Sequence, residues 1–228
     1  MPDAYGAPFE VFAGMVFLSA AVAYAWMRLF KAANPRWWRP ASWGILTMMM
    51  FELVIAANGV LRQWDRRPPP FLAMMVFVVG GVIYVSRRFG PALARIPFAA
   101  LIGLQAFRLP LELVMHRAAN AGIMPVAMSY SGYNFDILSG ISAALVGWLA
   151  YRGHATRWML WSWNLLGSTL LLVVICIAIA ATPLPHAFGY DQVNTWVAYP
   201  PFVWLPGVLV PAAALGHLVI WRKLLTEK

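Results

Sequence analysis

Gln105, Arg108, Glu112 and His116 recur at intervals of three, four and four residues inside an otherwise apolar stretch. At about 100° per residue they share an arc of about 80° on one helix face. A guanidinium, a carboxylate and an imidazole in one stripe suit three kinds of chemistry. Arg108 could hold an anionic ligand that Glu112 and Asp136 orient, with Gln105 and Asn134 adding neutral hydrogen bonds. His116 or Glu112 could act as a general base beside an oxyanion-stabilising Arg108 in an intramembrane enzyme acting on a lipid or isoprenoid. Glu52, Glu112 and Asp136 could relay protons in a proton-coupled transporter. Against all three stands a structural role, in which Arg108 and Glu112, four residues apart, form an ion pair within one helix and only fix its packing. Pro110 lies between them, lacks an amide donor and deprives the Ala106 carbonyl of its helical partner, so a local kink is expected.

Further polar residues interrupt other apolar runs. In Gly132-Tyr133-Asn134-Phe135-Asp136, Asn134 suits a helix N-cap and Asp136 the positive end of a helix dipole, or Asp136 faces the stripe. Glu52 has no cation nearby in sequence and reads as the best candidate for a buried, protonated carboxyl. Asn164 and His217 fall at similar depth in their segments and are expected to hydrogen-bond as an inner polar pair. Cys176 is the single cysteine, and the four histidines divide between opposite ends of the chain's segments, so neither a metal set nor a cofactor is expected. There is no G-x-S-x-G elbow, H-E-x-x-H pair or phosphate-cradling glycine loop, and no catalytic residue can be assigned. The three lysines, Lys31, Lys223 and Lys228, stand at segment ends or beyond, which excludes a retinal Schiff base in mid-helix.

The elements that must position these groups follow from composition. Of 228 residues, 62% are hydrophobic and 11% charged, against about 45–50% and about 25% in soluble proteins, and the mean hydropathy is +0.69. A single water-soluble domain is excluded. Apolar runs long enough for a hydrocarbon core of about 30 Å predict one all-α domain over 1–228, a seven-helix transmembrane bundle. The spans expected are 11–30, 41–61, 70–87, 92–117, 135–151, 158–181 and 201–223. Gly140, Ala144 and Gly147 offer the fifth a thin face for close packing, and Pro201, Pro206 and Pro211 bend the seventh. The connections 118–134 and 182–200 lack Lys and Arg and read as a partly ordered outer cap.

Net charge is +9, from 17 basic and 8 acidic residues. No basic run exceeds two residues, which argues against nucleic acid. Arg28, Lys31, Arg36, Arg39, Arg87, Arg88, Arg95, Arg152, Arg157, Arg222, Lys223 and Lys228 flank one side of the spans, against Arg62, Arg66, Arg67 and Arg117 on the other. This bias predicts an outside N-terminus and a cytoplasmic C-terminus, with anionic headgroups as partners on the cytoplasmic side. Trp37, Trp38, Trp43, Trp158, Trp161, Trp163 and Trp221 crowd that inner boundary. The first ten residues carry Asp3 and Glu10 but no cation, so the first segment is expected to stay as a span rather than leave as a signal peptide.

Gln105-Ala-Phe-Arg108, Glu112, Gly122-Ile-Met-Pro125, Gly132-Tyr-Asn-Phe-Asp136-Ile-Leu-Ser-Gly140, Trp163-Asn164 and Pro201-Phe-Val-Trp-Leu-Pro206-Gly, ending at His217-Leu, resemble a family of small bacterial multi-span membrane proteins of unassigned function. The resemblance covers roughly 95–225 and implies a bacterial cytoplasmic membrane, without an activity. The leading expectation is a membrane protein that binds a small ligand or ion in an outward-facing polar pocket, as a sensor-like or transport-related module. Its partners are the bilayer, a small-molecule ligand and, in principle, further copies of the chain.

Overall fold

A computed structural model describes residues 6–227; Asp3 and Lys228, which entered the charge reading, lie outside the described residues. The described chain is all-helical, with no strand. We label its main helices α1 (Phe9–Ala33), α2 (Trp38–Ala57), α3 (Pro70–Arg88), α4 (Phe98–Asn120), α5 (Ile137–Tyr151), α6 (Arg157–Ala180) and α7 (Leu205–Thr226). Among the described residues, all but α5 are long and apolar enough to cross a bilayer, as in a multi-pass membrane protein. At 15 residues α5 is the shorter exception.

Local chemistry sets the boundaries, and at three of them the sequence reading is off by four residues or more. The second segment stops at Ala57 rather than 61 because Gly59 turns the chain with a left-handed φ of 73°. The fourth starts at Phe98 rather than 92: Pro97 caps it, and residues Gly90–Leu93 form a separate turn. The seventh begins at Leu205 rather than 201, and its first turn is a π-helix, Leu205–Leu209, in which the Val210 amide donates to the Leu205 carbonyl. Pro206 within that turn and Pro211 just after it have no amide hydrogen to donate. The kink expected at Pro110 takes the form of a 3₁₀ turn, Gln105–Phe107, inside α4 and immediately before Arg108.

Contacts at the helix ends define an up-and-down bundle. Phe30 at the end of α1, Trp37 before α2 and Phe89 after α3 meet ring to ring. At that end too, Lys223 of α7 donates to the Ala94 carbonyl at 2.8 Å, and Arg157 at the start of α6 donates to the Leu224 carbonyl at 2.6 Å. At the opposite end Arg117 of α4 pairs with Glu10 of α1 at 3.0 Å. The two connections expected to form a cap join there: Gln192 accepts from the Val126 amide at 2.8 Å, and Tyr133 stacks on Phe188.

The thin face of α5 is Gly140, Ala143 and Gly147, not Ala144, which is exposed. A Cβ at Gly140 would run into the Leu109 backbone, and one at Gly147 would sit 3.0 Å from Gly103. Glycine here lets α5 touch α4 backbone to backbone, which brings Asp136 at the start of α5 against Arg108.

Candidate functional site

Arg108 is 1% exposed and sits where α4, α5, α6 and α7 meet. Its Nε and Nη2 both donate to the Asp136 carboxylate, a bidentate pair. Nη1 donates to His217 Nε2 at 2.9 Å, and both terminal nitrogens reach the Gly167 carbonyl at 3.4 Å. Each of the five guanidinium hydrogens therefore has a partner.

The imidazole is oriented in turn. Arginine has no acceptor, so His217 Nε2 must accept and the ring hydrogen must sit on Nδ1. Nδ1 lies 2.7 Å from Asn164 Oδ1, while Asn164 Nδ2 approaches the His217 carbonyl at 3.4 Å. The structure thus brings Asn164 and His217 together. Trp163 stacks on the ring at 5.4 Å and donates its indole N–H to Ser142 at 3.1 Å. That removes Trp163 from the boundary belt: its indole is buried in the bundle.

Glu112, 2% exposed, does not pair with Arg108. Among the described residues the ion pairs are Arg108–Asp136, Arg117–Glu10 and Lys223–Glu227. The intrahelical pair expected from the four-residue spacing is therefore corrected, because the guanidinium reaches across to α5. Both Glu112 oxygens accept from Asn134 Nδ2 at 2.9 Å, and the same nitrogen donates to the Met128 carbonyl. Asn134 is also not the N-cap of α5. That place belongs to Asp136, whose own amide donates to Asn134 Oδ1 at 2.9 Å. Glu112, Asn134, Asp136, Arg108, His217 and Asn164 form one continuous buried chain of hydrogen bonds.

The other candidates lie apart. His116 is half-buried, stacks on Tyr130 and contacts Asn120 at 3.1 Å and Ser131 at 3.3 Å, so it belongs to the cap. Gln105 donates to the Ala213 carbonyl at 3.4 Å, and its Oε1 has no partner. Glu52 is 1% exposed, and neither carboxyl oxygen has a hydrogen bond. It rests against Gly207 in the π-helical turn, where a Cβ would occupy the carboxyl's position.

Around Arg108 and Glu112 the protein's own groups meet the stripe, and each Arg108 N–H has its acceptor within the chain. A cavity of about 410 Å³ lies elsewhere, between α1, α2, α3 and α7. This slot is apolar, walled by Trp26, Phe30, Trp37, Gly44, Gly81 and Gly207 among others. It runs from the Phe30, Trp37 and Phe89 rings to Gly207, with Glu52 just behind that wall.

Two groups of residues that matter here escaped the sequence reading. Gly167 makes room for the imidazole, since a Cβ there would fall 2.6 Å from His217 Cε1. It shares a face of α6 with Trp163 and Asn164 at helical spacing, a signal present in the sequence. Gly44, Gly81 and Gly207 carry no such signal, because their meaning lies in which helices meet. The chain matches no protein-family model, no curated protein and no solved structure.

Proposed function

We propose that the chain is a ligand-binding protein of the bacterial cytoplasmic membrane that takes a small apolar molecule from the bilayer into the slot between α1, α2, α3 and α7. The observation that carries this reading is the slot itself. Its volume falls in the range of small-molecule sites, about 300–1,000 Å³, and its walls are almost wholly apolar. The role is sensor-like or transport-related, with the Arg108 chain as the rigid half of the bundle against which α2 and α3 form the binding half.

In this reading α5 is the seventh span. At 15 residues it is about 22 Å long, short of the core thickness, but its tight packing on α4 shields its ends from lipid. The excess of Lys and Arg at the end shared by Phe30, Phe89 and Arg157 supports a cytoplasmic C-terminus and an outside N-terminus.

The test is extraction. Organic extracts of detergent-purified wild type should contain an apolar molecule at about one per chain, and a Gly44→Phe/Gly81→Phe variant should lack it. Both glycines line the slot, and nothing lies within 4 Å of a Cβ at either, so a side chain added there meets open space. Equal amounts from both proteins would contradict the proposal.

A further inference from the structure

We propose that the occupant of the slot is one acyl chain of an anionic phospholipid, whose phosphate is held at the slot's ring-lined mouth by Arg36 and Arg88. This rests on the reading of the slot as the ligand site and adds the ligand's chemical class.

The mouth is built from three rings. Trp37 and Phe89 meet edge to face at 4.9 Å, and Phe30 and Phe89 at 5.8 Å, lining the slot where α1 and α3 end and α2 begins. Arg36 precedes Trp37 in the chain, and the Arg88 guanidinium lies over the Phe89 ring, 5.6 Å from its centroid. Both arginines are exposed, and neither takes part in an ion pair among the described residues. The acid nearest to Arg36 in sequence is Glu52, buried at the slot's far end. The mouth therefore carries uncompensated positive charge, while the interior accepts hydrocarbon only.

That combination selects among bilayer molecules. Polar solutes are excluded by the walls, and cationic amphiphiles by the mouth. A neutral lipid would fill the slot but leave the arginines unpaired. An anionic phospholipid satisfies both ends, because guanidinium groups match phosphate oxygens in bidentate geometry and interfacial cations attract anionic headgroups. Trp37 at the mouth suits a headgroup boundary, as an amphipathic ring does.

The experiment is titration of detergent-purified protein with dioleoyl-phosphatidylglycerol or dioleoyl-phosphatidylcholine, read as bound lipid by native mass spectrometry. Three proteins are compared: wild type, Arg36→Gln/Arg88→Gln, and Gly44→Phe/Gly81→Phe. Wild type should hold the glycerol lipid roughly tenfold more tightly than the choline lipid. The arginine variant should lose that preference and keep binding both, and the filled-slot variant should lose both. A wild type without preference, or a preference that survives removal of the arginines, overturns the anionic-lipid inference and leaves the slot reading standing. Binding that survives filling of the slot overturns the slot reading itself.

Discussion

Arg108 Nη1 lies 2.9 Å from His217 Nε2, a contact between a donor-only group and a ring nitrogen that must accept. The relationship ties α4 to α7 and, through Nδ1 and Asn164 Oδ1 at 2.7 Å, to α6. One tautomer satisfies both bonds. Nitrogen-15 NMR of histidine-labelled protein, assigned by loss of the signal in His217→Gln, should find the hydrogen on Nδ1 and a bare Nε2. A hydrogen on Nε2 would break the derived chain.

Breaking the buried ion pair should be a folding defect. Arg108→Gln and Asp136→Asn each leave a desolvated group without its partner and should each cost about 3–5 kcal/mol. Thermal unfolding in detergent should register both losses, along with lower yield. Arg108→Met combined with Asp136→Leu should lose less than the sum of the singles, because neither charge is then stranded. Full stability in Arg108→Gln with loss of a bound ligand would instead restore the arginine as a ligand holder.

Glu52 should behave in the opposite way. Its oxygens have no partner to lose, so Glu52→Met should leave stability unchanged or raise it by about 1–3 kcal/mol, the cost of an unsatisfied buried polar group. Gly207→Ala should cost about 1–3 kcal/mol through overpacking, since the new Cβ meets the Glu52 carboxyl. Glu52→Ala should relieve that cost in the double variant. Additive effects, measured by unfolding, would contradict the contact.

Two glycine-to-alanine exchanges separate close approach from open wall. At Gly140 the new methyl meets the Leu109 backbone, which cannot move aside, whereas at Gly81 nothing lies within 4 Å. Gly140→Ala should destabilise by about 1–3 kcal/mol, and Gly81→Ala should be neutral or mildly stabilising through helix propensity. Equal unfolding temperatures would count against the α4–α5 packing.

Helices and their polar residues were legible because hydrocarbon imposes strong patterns. The spacing of Gln105, Arg108 and Glu112 placed them on one inward face, and Asn164 and His217 were paired from depth alone. What the spacing could not reveal was the partner chosen: an arginine four residues from a glutamate prefers an aspartate on another helix when glycines let that helix come close. Pocket and clasp are also indistinguishable in sequence, since both demand inward polar groups. The slot was invisible for a different reason. Its walls are ordinary apolar residues of four helices, and it stays open where Gly44 and Gly81 put no side chain into it.

The most direct test of where this protein binds its ligand is an electron-density map from crystals grown in a lipidic mesophase doped with phosphatidylglycerol. Elongated density running from the Trp37–Phe89 rings toward Gly207, with the space around Arg108 filled by Asp136 and His217, is the predicted result. A slot free of elongated density, together with a bound molecule touching Arg108, would contradict it.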